Sequence, residues 1–170
     1  MNKLTDCFLT ELADIYDAEK QLIEALPTMA ETAEHEELRE AFSNHILETE
    51  EHVRRLEQVI ELLGEEAPVQ QKSKTMQGLL AGILERTEDG LGDAALICAA
   101  QKIEHYEIAV YGSLRSWAKL LDHDEAANLL EETLDEETDA DDHLTSLAVQ
   151  IVNLDAREAE HATATGDSEE

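Results

Sequence analysis

Apolar residues recur every three or four positions through most of the chain, the period of a helix with one buried face. The first run covers residues 3–33 through Phe8, Leu12, Ile15, Leu22, Leu26 and Met29. Pro27 stands inside it and predicts a kink or the start of a second piece, because proline removes a backbone donor and crowds the preceding turn. A short polar turn at 34–36 leads into a second run, 37–63, with Leu38, Phe42, Leu56, Val59 and Leu63 on one face. Gly64 suits its C-terminal cap, and Pro68 stops further helix. Residues 65–92 form a long connection whose apolar stretch, 76–84, predicts a minor helix. Asp93 is placed to cap a third run, to about 121, through Leu96, Ala100, Ile103, Val110, Leu114 and Trp117. The turn 122–124 opens a fourth, to about 154, through Leu130, Leu134, Leu144, Ala148 and Ile151.

The expected architecture is all-α: two antiparallel helical hairpins joined by one long crossover that contains a short extra helix. Among four-helix bundles that connection is the ferritin-like one, whereas equal short loops mark a plain up-down-up-down bundle. Residues 1–155 form one domain on this reading, and 156–170 an acidic, disordered tail.

Composition narrows the function. Asp and Glu number 41 against 12 Lys and Arg, a formal charge of −29. Nucleic acid and anionic membrane surfaces attract basic faces and repel this one. The longest uncharged run, 144–154, is far short of the roughly 20 residues that span a bilayer. The N-terminus lacks the pattern of a signal peptide, and Cys7 and Cys98 are too few for a disulfide framework or a zinc motif. These features point to the cytoplasm. A disordered acidic chain lacks residues to bury, but here 42% are apolar and periodic, so the chain folds. A folded surface this acidic repels itself unless salt screens it, which suggests a halophilic, high-salt cytoplasm.

The buried stripes are interrupted by ionisable residues. The first helix reads 12, 15, 19, 22, 26, and position 19 is Glu. The second reads 42, 45, 49, 52, 56, giving His45, Thr49 and His52, with Glu48 beside them. The third reads 100, 103, 107, 110, 114, giving Glu107, and the fourth 130, 134, 137, 141, 144, giving Glu137 and Asp141. Singly, a seam Glu commonly sits at the core edge with its carboxylate in water. Their levels argue otherwise. Glu19 and Glu48 are 29 residues apart, Glu107 and Glu137 are 30 apart, and matching hairpins bring all four to mid-bundle. Buried carboxylates repel or take up protons, a conflict that cations resolve. Carboxylate plus imidazole suits iron or manganese.

Dinuclear bundles of this kind use Glu-x-x-His on two helices. Here the same-face pairs are Glu48/His52 and Glu137/Asp141, with His45 close to His52 as a choice and Glu104 an alternate ligand or partner of Glu107. The metal set read from the sequence is therefore Glu19, Glu48, His52, Glu107, Glu137 and Asp141, with His45 and Glu104 as alternates. Tyr16 and Tyr111, each within a turn of a seam Glu, are candidates to bond those carboxylates. His105, His123, His143 and His161 fall off the inner stripe, and Trp117 falls in the core.

The segments Asp-Ile-Tyr-Asp-Ala-Glu-Lys-Gln-Leu-Ile-Glu-Ala-Leu-Pro (14–27), His-Ile-Leu-Glu-Thr-Glu-Glu-His-Val (45–53), Ala-Ala-Gln-Lys-Ile-Glu-His-Tyr-Glu-Ile-Ala (99–109) and Thr-Leu-Asp-Glu-Glu-Thr-Asp-Ala-Asp (133–141) resemble the YciE/YciF family of ferritin-like proteins. Thr138 stands where that family tends to have Lys, and the surface is more acidic, as a haloarchaeal or other halophilic member would be. The resemblance implies a ferritin-like bundle, a homodimer and a metal-capable centre of the oxidative or general stress type. The leading expectation is a di-iron protein that oxidises Fe(II) with oxygen or peroxide. A non-enzymatic helical stress or structural protein with a metal-free polar core, or a dimanganese catalase-like activity, are the alternatives.

Overall fold

A computed structural model describes residues 3–65, 71–88, 92–154 and 157. Five α-helices follow in order: α1 (Lys3–Thr32), α2 (Glu36–Leu62), α3 (Lys74–Glu88), α4 (Gly92–Leu120) and α5 (Asp124–Leu147), the last running into a π-helical turn, Ala148–Val152. There is no strand among the described residues. The tail beyond 157 and His161 lie outside them.

Pro27 does not divide the first run. It is exposed inside a continuous α1, while its neighbours Leu26, Met29 and Ala30 are buried and hold the helix to the core on both sides of the missing donor. Gly64, at φ 71°, ends α2 in the left-handed conformation that glycine adopts without a Cβ penalty. Asp93 does not cap α4 from outside, because the helix already begins at Gly92. Its carboxylate instead crosses to the α1–α2 turn and accepts the backbone N–H groups of Glu34 (2.9 Å) and His35 (2.7 Å). The minor helix is longer than the apolar stretch at 76–84 predicts, since Ser73 caps it. Ser73 Oγ accepts the Met76 N–H at 3.3 Å, the N-cap geometry that satisfies a first-turn donor.

The hairpins α1–α2 and α4–α5 close side by side, with α2 against α5 and α1 against α4. Cross-helix bonds show the directions. Asp14 meets Tyr106 while residues 34 and 35 meet Asp93, so α1 and α4 are antiparallel. Thr133 lies by Arg55, and Glu137 by His52, so α2 and α5 are antiparallel too. It follows that α4 runs parallel to α2, and the crossover must travel the length of the bundle to begin it. α3 fills that passage, packed across α1 and α4. Its start is pinned by two acids of α1: Asp17 accepts the Ser73 N–H at 2.8 Å, and Asp14 accepts the Ser73 hydroxyl at 2.8 Å.

Ile15, Leu22, Leu26, Leu38, Leu56, Ile97, Ile103, Leu114 and Leu130 form the apolar layers above and below mid-bundle, all essentially inaccessible. Each such side chain contributes about 1.5–3 kcal/mol over leaving it exposed. Between these layers the stripe turns polar.

Candidate metal centre

Six ionisable side chains meet at that level, three from each hairpin. α1 provides Glu19, α2 provides His45 and His52, α4 provides Glu104 and Glu107, and α5 provides Glu137, all buried. Helical spacing explains the set. His45 and His52 are two turns apart on one stripe with Thr49 between them. Glu104 and Glu107 are three apart and share a face. Thr49 donates its hydroxyl to the His45 carbonyl at 2.7 Å and leaves the space before it to the ligand-type groups.

Their donor atoms converge in two groups. His45, Glu104, Glu107 and Glu137 each place one such atom within 4.8 Å of the others, and so do Glu19, His52 and Glu137. Glu137 belongs to both. His45 Nε2 lies 3.6 Å from Glu104 Oε1 and 3.8 Å from Glu137 Oε2. His52 Nδ1 lies 3.0 Å from Glu137 Oε1 and 3.7 Å from Glu19 Oε1. The Tyr111 hydroxyl donates to Glu19.

Each imidazole is held from behind by a carboxylate nearer the surface. Glu48 bonds His45 Nδ1 at 3.1 Å, and Glu136, itself paired with Arg55, bonds His52 Nε2 at 3.0 Å. The inner nitrogens are thereby turned to the cluster, an arrangement that fixes tautomer and orientation where histidine binds a metal. Neither Glu136 nor Arg55 is apparent from the stripes; an Arg one turn after His52 in so acidic a chain is the only signal.

Four of the six metal residues read from the sequence come together: Glu19, His52, Glu107 and Glu137. So do both alternates, His45 and Glu104. Glu48 and Asp141 are not brought into the cluster. One residue along a helix is a rotation of about 100°, and Thr49 occupies the inward direction, leaving the Glu48 side chain half exposed behind His45. Asp141 is turned toward Gln101 (3.1 Å) and His105 (3.3 Å) on α4. On α4 the inward residue is Tyr111 rather than Val110. Tyr16 lies elsewhere and donates to Glu57 at 2.9 Å. His105 and His143 are exposed, His123 is half-buried as the N-cap residue of α5, and Trp117 is half-buried against the core.

Burial and the crowding of carboxylates set the electrostatics of the site. Burial pushes the Glu107 carboxyl well above its ordinary value, helped by the charges of Glu19, Glu137 and Glu104. Glu104 and Glu19 are raised chiefly by burial as well. Burial pulls the histidines down, but the facing carboxylates outweigh it. His45 is held up at about 9 by Glu48, Glu104 and Glu137, and His52 at about 11 by Glu137 and Glu19. Burial also raises the Tyr111 hydroxyl well above its usual range.

Eight buried atoms of this cluster make no hydrogen bond of good geometry: Glu19 Oε2, His45 Nε2, His52 Nδ1, Glu104 Oε2, and both carboxylate oxygens of Glu107 and Glu137, although His52 Nδ1 and Glu137 Oε1 stand 3.0 Å apart as an ion pair. An unsatisfied buried polar group costs about 1–3 kcal/mol, more when charged. Together they are a cost that bound cations or protons relieve. The residues fit a pair of cations: four glutamates and two histidines from four helices, the donor count of the dinuclear carboxylate bundles. Both histidines here come from one helix, and one helix supplies two glutamates.

The sequence matches a family described as a domain of unknown function, DUF892, over residues 3–157. The chain belongs to the DUF892 family. Protein YciF of Escherichia coli is 43% identical over 160 residues, 92% of this chain and 96% of that protein. The crystal structure of the E. coli stress protein YciF superposes with a TM-score of 0.85 at 42% identity, covering 90% of this chain and 99% of YciF. YcfI of Rhodopseudomonas palustris, provisionally described as a structural protein, gives 0.80 at 37% identity, covering 84% and 93%. This DUF892 chain is thus a YciF-like helical bundle. No described helix is long and apolar enough to cross a membrane.

Proposed function

We propose that this DUF892 protein is a cytoplasmic stress protein whose mid-bundle cluster binds two metal ions, iron foremost, and oxidises Fe(II) with oxygen or peroxide. The observation that carries the reading is the set of eight atoms without a hydrogen bond of good geometry, all on ligand-type side chains. Glu19 and His52 would hold one ion and His45, Glu104 and Glu107 the other, with Glu137, common to both groups, available to either. Such a pair, when bound, supplies one electron from each ion for reduction of an oxidant. The chain's own part is positional. Glu48 and Glu136 aim the imidazoles, Tyr111 holds Glu19, and the apolar layers keep bulk water from the charged centre, which strengthens every interaction within it.

Anaerobic Fe(II) loading followed by metal analysis tests this. The wild type retains two ions per chain on this reading, and Glu19→Ala/Glu107→Ala retains none. Equal retention by the two would end the proposal. Oxygen evolution from peroxide by manganese-loaded protein would favour a catalase-like activity.

A second reading has its own support. Protonated histidines facing carboxylates neutralise part of the cluster without metal, and YcfI is described in structural terms. A non-enzymatic bundle of that kind predicts a melting temperature unmoved by chelators or added metal. Association as a homodimer, proposed from the YciF resemblance, is checked by light scattering.

A further inference from the structure

Most of the cluster is sealed. Glu19, His52, Glu107 and Glu137 are inaccessible to solvent, and apolar layers close the bundle above and below. An opening reaches it. A cavity of about 240 Å³ lies between α2 and α5, several times the roughly 30 Å³ share of a water molecule in the liquid. His45 and Glu104 form part of its wall, and both are more than nine-tenths buried. His45 Nε2 and Glu104 Oε2 have no hydrogen-bond partner, so the deep end presents an unused donor pair. Toward solvent the lining is predominantly acidic, with Glu48, Glu136 and Asp139 beside Asn44 and the exposed His143, and Ala140 is a small residue at the side. Among the described residues neither lysine nor arginine lines it, although Arg55 pairs with Glu136 from outside.

We propose that this cleft is the port by which an aquated divalent cation reaches the cluster, drawn by the acidic lining and handed to His45 and Glu104 at its end. The proposal rests on the metal-binding reading above. It adds the route and the form of the substrate: a bare hydrated ion rather than a bulky chelate. A mouth of one charge sign raises the local concentration of the opposite ion and its on-rate. Ala140 is where size is decided, since a larger side chain there projects into the passage. His45 is the first ligand met.

Co(II) is a suitable probe because imidazole and carboxylate ligands change its visible spectrum. Uptake is followed by stopped flow on the full chain under anaerobic conditions, and bound cobalt is counted at equilibrium. Two variants avoid every residue assigned to the cluster or its support. Ala140→Phe is expected to slow uptake severalfold with unchanged final cobalt. Asp139→Lys, at an exposed position, is expected to slow it by about three- to tenfold near 0.01 M salt, where the field reaches far, and scarcely at 1 M, where it is screened within about 3 Å. If Ala140→Phe fails to fold, Asp139→Lys carries the test. Wild-type rates in both variants with full cobalt would overturn the route and leave the metal site standing. Salt-independent slowing by Asp139→Lys with reduced cobalt would overturn it too, by placing Asp139 in the site. Absence of bound cobalt from the wild type would overturn the metal reading and the port with it.

Discussion

Metal-free protein should lose stability as the pH rises from 6.5 to 9, across a range where many proteins are near their optimum. His45 and His52 carry protons in the folded state up to about 9 and 11, while an unfolded histidine releases its proton near 6.5. A group whose folded pKa is raised contributes stability that is complete below the unfolded value and is lost as pH climbs to the folded one. Each pH unit in that interval removes about 1.4 kcal/mol per histidine. From 6.5 to 9 this is about 3 kcal/mol each and at most about 6–7 together, less to the extent that the two rings repel each other. Glu104, Glu107 and Glu19 are raised too, chiefly by burial, and what they contribute is likewise lost as pH rises above the ordinary carboxylate range; they share protons with the histidines and are not added to the figure. The carboxylates held below their usual range, Glu48, Glu136 and Asp17 among them, lose their contribution only as pH falls below about 4.5, so they do not oppose it here. Against a total of about 5–15 kcal/mol the loss is large. For a chain of this length it corresponds to a fall in Tm on the order of 10–20 °C. Calorimetry of EDTA-treated, dialysed protein at constant ionic strength measures it, and His45→Gln should remove about half. Bound metal displaces the imidazole protons, so the loaded protein should show little of the fall. A metal-free Tm that is flat or rises from pH 6.5 to 9 would refute the protonated core.

Glu107→Leu should stabilise the metal-free protein by about 1–3 kcal/mol, because it removes a buried carboxyl with both oxygens unpartnered, and should reduce metal retention; urea melts with and without metal measure both effects. Ser73→Ala should cost about 1–2 kcal/mol through loss of the α3 cap, and earlier amide exchange in α3 than in α1 or α4 would localise it. If the −29 charge is tuned to a salty cytoplasm, far-ultraviolet circular dichroism should gain helicity as KCl approaches about 1 M; full structure without added salt would dismiss that adaptation.

Periodicity and punctuation place the four long helices to within about a residue at most ends, because the apolar stripe and the turn at Gly64 are local signals. The level of the polar centre is legible for the same reason: Glu19, Glu107 and Glu137 interrupt stripes that are otherwise mostly apolar. What pattern leaves open is rotation and reach. Whether Glu48 or Thr49 faces inward is a difference of about 100° about one axis, smaller than a stripe read from few apolar residues resolves. Asp93 looks like a cap because caps are local, but its carboxylate is used by a turn some sixty residues earlier. Glu136 and Arg55 acquire their roles only once α5 lies against α2, and no spacing on either helix announces that contact. Tyr111 is similar, since its value lies in the acid it faces on α1.

The division of the polar centre between the hairpins has a consequence for assembly. The α1–α2 hairpin brings one carboxylate and both imidazoles, while α4–α5 brings three carboxylates and no base. Two copies of the second hairpin laid face to face would oppose six acids without a single cation. Docked on the first hairpin, the same three acids meet two rings that can carry protons. The seam that frustrates the finished core therefore acts earlier as a pairing rule, penalising like-with-like association of exposed hairpins and favouring the heterotypic union that one chain supplies.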